Sequence, residues 1–492
     1  MEPVTRRQAL QLGTLGALGV VVGGAGLARS GVPWAPLGQG PSPGGTVGGG
    51  LAEPTALRST NGLLRVELIA AEQEVVLAGR QARALAYNGQ VPGQTWWVRP
   101  GDRIEVRLEN RLGSPTNLHT HGLHVSPQGS SDNALLSIDP ATTFDYRFEL
   151  PPDHPTGVFW YHPHRHGHVA DQIFGGLYGT IIVEDDDAPG ARDRVLVISD
   201  TSLTPEGQVR GATAAERMMG REGDLVLVNG QVEPVITSRP GELERWRVVN
   251  ASTSRYLRLA LPGQQLQLLG TDSGQEATPR DVDDVVLAPG NRADLLVRMQ
   301  GGAAQLHTLG YDRGGRMMGM MTGRTQSGPL VLAHLDVTGD SVDGPAAVVR
   351  RAAQPDLREA SLDGRREIAF TMTTGRGGGM GAMMDVGFDG RPFDIERTDQ
   401  QVLVDSVEEW TIRNPTPMNH PFHLHVWPMQ VLEINGVPMA GPVWRDVVDV
   451  PAQGEAVVRI RFGTFSGRTV YHCHILDHED AGMMGIIAAS PA

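Results

Sequence analysis

Ten of the 16 histidines and the single cysteine gather in four short stretches. These are HTH at 119–121, HPH at 162–164, HPFHLH at 420–425 and HCHILDH at 472–478. Imidazole and thiolate are the side chains that hold copper, zinc and iron. On a β-strand, side chains alternate between faces, so both rings of a His-X-His unit project to the same side. One such pair could be a surface accident, but four in equivalent places point to a site for adjacent metal ions. Cys473 lies between His472 and His474 and faces the other way. It can bind a different ion from theirs while joined to both through a few covalent bonds. A thiolate, two imidazoles and a weak axial thioether form the blue-copper donor set. His478 and Met483 follow the cysteine on one loop, and His420 can supply the second imidazole.

The elements that must position these groups repeat along the chain. NGQVPGQTWWVRPGDRIEVRLEN (88–110), VNGQVEPVITSRPGELERWRVVN (228–250) and FDGRPFDIERTDQQVLVDSVEEWTIRN (388–414) share one plan. Each has a glycine turn, an apolar stretch, an acidic turn and an alternating strand that ends in Asn. A period this long marks three copies of one domain rather than a solenoid. Short strands with frequent turn signals make the expected fold all-β, as three consecutive Greek-key β-sandwiches or barrels. The expected boundaries are 57–188, 189–345 and 346–492. The first and third copies end in FWYHPHRH and VYHCHILDH, whereas the second has only AAQLHTLGY at the matching place. The middle copy is therefore expected to be structural.

A chain of 52.8 kDa is too long for one core. Its 63 glycines and 34 prolines, with no lysine, suit strands and turns better than long helices. A net charge of -14 argues against nucleic acid and anionic membranes as partners. The stretch from Arg6 and Arg7 through a glycine-diluted apolar run to Ala28 resembles a twin-arginine secretion signal. The apolar run is short for a membrane span, so export, signal removal (1–28) and no stable membrane insertion are expected. The destination is periplasmic or extracellular. A Gly/Pro-rich linker is expected over 29–56, with ordered chain from near Leu63. In an oxidising compartment a lone cysteine cannot form an intrachain disulfide, which leaves it as a liability or a ligand.

In this order, the four motifs resemble those of the multicopper oxidase family, of the bacterial laccase or copper-tolerance cuprous oxidase type. The resemblance covers about residues 57–490 and implies three cupredoxin domains and four copper ions per chain. It implies His420, Cys473 and His478 as blue-copper ligands with Met483 axial. It gives His119 and His423 to the lone copper of a trinuclear cluster. The coupled pair would take His121, His162 and His474 on one ion, and His164, His425 and His472 on the other. The activity implied is one-electron oxidation of a phenol, aromatic amine or cuprous ion, with dioxygen reduced to water. Two acids resemble the family's buried proton relay: Asp132, in GSSDNA, and Glu479, beside His478. A copper carrier of the same fold would need none of the eight cluster histidines. A copper nitrite reductase would have two domains and fewer histidines.

The reductant is less legible. RMMG (217–220), RMMGMM (316–321) and MTTGRGGGMGAMM (372–384) hold ten of the 17 methionines, in Gly-rich contexts expected not to pack. Soft thioethers select cuprous ion, which makes Met380, Met383 and Met384 candidate substrate-copper ligands. Met418 also matches a substrate-copper position of the copper-tolerance oxidases. The carboxylate expected four residues before His420 is replaced by Thr416, so such a site would need another acid, such as Asp385.

Overall fold

A computed structural model describes residues 48–185, 190–314, 329–345, 354–374 and 384–491. Its strands form six sheets, which follow one another along the chain in three pairs. Strands within 56–183 make sheets of five and four, and those within 192–337 make sheets of six and five. Those within 364–490 again make six and five. Each pair encloses its own apolar core, centred on Trp96, Trp246 and Trp410 in turn. The fold is thus three consecutive cupredoxin-like β-sandwiches.

The sequence repeat has a physical basis in three recurring contacts. The turn residues Asn88, Asn229 and Asp389 all have φ near +50°, each followed by a glycine at positive φ. Asn tolerates this left-handed region and glycine meets no Cβ penalty there. The side chain of each accepts one backbone N–H, from Ile69, Val197 and Ala369 respectively, at 2.8–2.9 Å. The strand that opens each copy runs parallel to the one that closes the repeat, as in Leu63–Leu77 beside Arg103–Arg111. Arg192–Thr201 and Leu243–Asn250 pair likewise, as do Gly364–Thr374 and Val407–Asn414.

The terminal asparagines of the repeat, Asn110, Asn250 and Asn414, are fully buried. The amide of each donates to two main-chain carbonyls: Ser114 and Ile138, Arg255 and Leu287, Met418 and Val450. These bonds fasten the loop that leads into the next strand, which in the third copy is the His420 strand.

Two expectations change. The chain is ordered before Leu63: Leu51 donates to the Val235 carbonyl at 2.9 Å and Val235 to Gly49 at 2.8 Å. Ala56–Arg58 is a strand parallel to Thr95–Val98. Such pairing uses only main-chain groups, so the glycine-rich composition that suggests a linker is no bar to it. Residues 1–47, including the expected signal, lie outside the described residues. Met372 also lies on a paired strand and packs on the third core, contrary to the expectation for its cluster.

Replacing Asn250 with Ala strands two buried carbonyls and the Ser252 N–H. Denaturant unfolding is expected to show a loss of about 3 kcal/mol. A loss below about 1 kcal/mol would mean that these bonds do not hold the loop.

Candidate metal centre

The histidine motifs occupy two equivalent ladders. In the first copy, His119–His121 pairs antiparallel with Gly157–His162, setting His119 opposite His162. In the third, His420–Leu424 pairs with Gly467–Cys473, setting His423 opposite His472 and Phe422 opposite Cys473. The middle copy's corresponding pair, Leu257–Ala260 with Gly302–Thr308, sets Leu259 opposite Thr308. There the site-facing imidazoles are replaced by residues that fill a core.

The first and third ladders face each other, and their eight histidines converge with no ring more than 1% exposed. His164 Nε2 lies 3.1 Å from His472 Nε2, which lies 3.3 Å from His425 Nε2. This is one of the two expected trios. His121 Nδ1 lies 3.4 Å from His162 Nε2, with the His474 ring 5.0 and 5.9 Å from theirs, centre to centre. The nitrogens of His119 approach this second group as well. The His119 and His423 rings, expected to share an ion, are 5.8 Å apart. Burial, reinforced by neighbouring rings, lowers the pKa of His119, His121, His423 and His474 well below the usual range. Burial holds His164 and His472 at about 4. The rings are therefore neutral, which is their ligand form.

The donor set fits metal ions. His119 Nε2, His423 Nε2 and both nitrogens of His474 are buried without a hydrogen-bond partner among the described residues. Nitrogens roughly 2 Å from a common ion sit roughly 3 Å from one another, as those of His472 and its neighbours His164 and His425 do. In four of the rings the other nitrogen is held by a hydrogen bond, which fixes ring orientation. His119 Nδ1 donates to Asp132, His423 Nδ1 to the Asp446 carbonyl and His162 Nδ1 to the Pro163 carbonyl, at 3.0, 2.7 and 2.8 Å. His121 Nε2 donates to the Asp446 carboxylate at 3.1 Å.

Both acids singled out in the sequence lie at this cluster. Asp132 is fully buried against His119 and accepts the Thr120 N–H at 2.9 Å; burial raises its pKa to about 7. Glu479 lies 3.0 Å from His472 Nδ1 and 3.5 Å from His164 Nε2. Its geometry is poor for hydrogen bonding, and burial raises it to about 7.

The second donor set lies on the opposite face of the same strand. Cys473 Sγ is 3.4 Å from His420 Nδ1 and 3.9 Å from His478 Nδ1, and it accepts the Ile475 N–H at 3.4 Å. Met483 is fully buried in the same core, and its carbonyl accepts the Cys473 N–H. Burial pushes the thiol pKa up; a bound cation acts in the opposite sense and favours thiolate. Thr416, found where a carboxylate was expected, places its hydroxyl 2.9 Å from His420 Nε2.

Some contributors were not visible in the sequence. Gly290 (φ +88°) packs against the His474 ring so closely that a Cβ would fall 2.8 Å from Nε2. Asp446 binds His121 and receives two bonds from the buried Arg292 at 2.6 Å. Asp446 has no motif around it, and 325 residues separate it from His121. The middle copy thus shapes the centre without supplying a ligand.

The methionine expectations are revised. Met218 and Met219 pack on the third core, and Met418 is fully buried within it. Thioethers here fill a core. Met380 and Met383 lie outside the described residues, and of Met384 and Asp385 only the strand Met384–Phe388 is described.

Residues 69–188, 194–308 and 362–492 each match the multicopper oxidase family, together well over half of the sequence. The chain belongs to the multicopper oxidase family. It is 27% identical to the multicopper oxidase mco of Staphylococcus aureus over 429 residues, 83% of this chain and 84% of that one. It is 25% identical to the laccase of Bacillus subtilis over 468 residues, 82% of this chain and 89% of that one. Among solved structures, the multicopper oxidase of Campylobacter jejuni, described as a metallo-oxidase, superposes with a TM-score of 0.81. The two are 28% identical, over 93% of this chain and 99% of that one. As a multicopper oxidase, this protein is a copper oxidoreductase that uses dioxygen and a reducing substrate. Among the described residues, no helix is long and apolar enough to cross a membrane.

Asp446→Asn removes one charge from the group that orients His121. Copper retention during dialysis against a chelator is expected to weaken about 10–100-fold, as for other partners of metal-bound histidines. Unchanged retention would remove Asp446 from that role.

Proposed function

We propose that this multicopper oxidase takes single electrons from a small reductant at His420, Cys473, His478 and Met483. Four such events would reduce one dioxygen, with four protons, to two waters at the eight-histidine cluster. One observation carries the reading: Cys473 belongs to one donor set, and its neighbours His472 and His474 belong to the other. Copper, when bound, supplies the one-electron couple at the first site and the oxygen-binding centre at the second. Four ions per chain fit the donor count.

The chain's own residues do the rest. The strand Gly467–Cys473 and the residue after it link the two donor sets through a few covalent bonds. Complete burial keeps bulk water from the histidine cluster and keeps the imidazoles neutral. Asp132 on one side and Glu479 on the other are buried acids raised towards neutrality, suited to holding and passing protons. The reductant classes are phenols, aromatic amines and cuprous ion. The burial of Met418 favours a structural role for it over that of an accessible substrate ligand. The twin-arginine-like segment supports export to the periplasm or cell surface.

Copper counting and electron paramagnetic resonance test this reading. Four ions per chain and a blue-copper signal are expected in the native chain. Cys473→Ser is expected to abolish the blue absorption and the oxidase activity while the fold persists. A variant that stayed blue would overturn the assignment of the thiolate.

Asp132→Asn and Glu479→Gln are expected to slow reoxidation of the fully reduced enzyme by about 10²-fold or more. Reduction of the blue site by substrate should be little changed. Stopped-flow mixing with dioxygen separates the two, and unaltered reoxidation in both variants would leave these acids with a structural role only.

A further inference from the structure

Among the described residues other than glycine that adopt left-handed φ, only Val426 (φ +72°) and Thr464 (φ +59°) are β-branched. A branched Cβ crowds the backbone in that region, so each position carries strain that its neighbours must hold. Each lies at the centre of a tight three-residue turn. The Trp427 N–H donates to the His425 carbonyl at 2.8 Å, and the Phe465 N–H donates to the Gly463 carbonyl at 2.8 Å. With positive φ at the centre, these are the rarer, strained form of the γ-turn. The Trp427 indole N–H ties one turn to the other by donating to the Gly463 carbonyl at 3.2 Å.

Both turns belong to the third copy, and both are held by one ring from the first. His124 Nδ1 donates to the Val426 carbonyl at 2.8 Å, which leaves Nε2 to accept the Thr464 hydroxyl at 3.2 Å. Burial lowers the pKa of His124 and favours this neutral form. His124 is itself fixed: its backbone N–H donates to Nε2 of the buried His154 at 3.0 Å, and Phe465 packs edge-on to its ring at 4.9 Å. Val426 directly follows His425. His425 Nε2 faces His472 Nε2, but its Nδ1 is buried without a hydrogen-bond partner among the described residues. The hydrogen bond that orients His119, His121, His162 and His423 is missing there. Stacking on His119 at 3.8 Å and the turn behind it are left to set the direction of the His425 ring.

We propose that His124 is a positioning residue for the histidine cluster: by clasping two strained turns of the third copy, it sets the direction in which His425 enters the site. The clasp crosses the seam between the first and third copies, so His425 takes up its ligand geometry only when the two have docked. Without the clasp, the turn at Val426 relaxes away from positive φ and carries the His425 ring with it. His124 acts through Val426 rather than on a metal ion. The proposal rests on the oxidase reading above.

The test uses the full copper-loaded chain, His124→Ala, His124→Asn, whose amide can replace Nδ1 as the donor to Val426, Val426→Gly, and the His124→Ala/Val426→Gly double variant. Glycine adopts positive φ without strain, so the turn at 426 then needs no clasp. Copper lost from the histidine cluster during dialysis against a chelator is counted, and the blue absorption reports the Cys473 site. His124→Ala is expected to lose cluster copper about tenfold faster than the native chain while the blue band persists. His124→Asn is expected to behave like the native chain, and removing His124 from the Val426→Gly chain to change retention little. Nuclear magnetic resonance of the metal-free chain, with its histidine ring nitrogens labelled, reads His425 directly. One set of His425 signals is expected in the native chain, and doubled or broadened signals in His124→Ala. Native retention in His124→Ala, loss of the blue band in step with the cluster copper, or an equal effect of removing His124 in both backgrounds would overturn the clasp. The metal-free signals do not depend on copper. A native chain without a blue band would therefore overturn the oxidase reading and leave the clasp to be decided by those signals.

Discussion

The histidine cluster is organised around one buried ion pair. Arg292, from the middle copy, donates to both oxygens of Asp446 in the third and to the Val158 carbonyl in the first. It also lies 3.1 Å from Asp272. A guanidinium with no exposure is costly unless it is fully paired, so the three copies must meet correctly for the contacts with Asp446 and Val158 to form. Asp446 then passes the alignment on, through its carboxylate to His121 and its carbonyl to His423.

The middle copy shows how a domain without ligands governs a metal centre. Where the outer ladders pair His119 with His162 and His423 with His472, it pairs Leu259 with Thr308, and Leu259 lies in its core. Its contributions come instead from backbone and charge: the bare Cα of Gly290 against His474, the Arg292 fork, and the Met218 carbonyl on His478. The first two require that particular residue, whereas the Met218 contact is made by the main chain.

Whatever depended on local periodicity was legible from the sequence. Alternation placed the His-X-His pairs on one face and Cys473 on the other, and the Asn-Gly and Asp-Gly turns marked the repeats. The resemblance to known oxidases extended this to a full donor assignment. Contacts between residues distant in the chain were not legible. Asp446 resembles any strand residue until Arg292 is folded against it. The methionines of 217–220 were expected not to pack because of the adjoining glycine, but a short helix buries Met219 and packs Met218 against the third core. The pairing of Gly49 and Leu51 with Val235 left no trace, because main-chain hydrogen bonds carry no side-chain signature.

The first and third copies each hold only half of the histidine cluster, so an ion bound there would tie together two chain segments some 300 residues apart. Such an ion acts as an internal cross-link, and its binding free energy is shared with the docking of the two copies. The seam between them is therefore where loss of metal would first loosen the molecule.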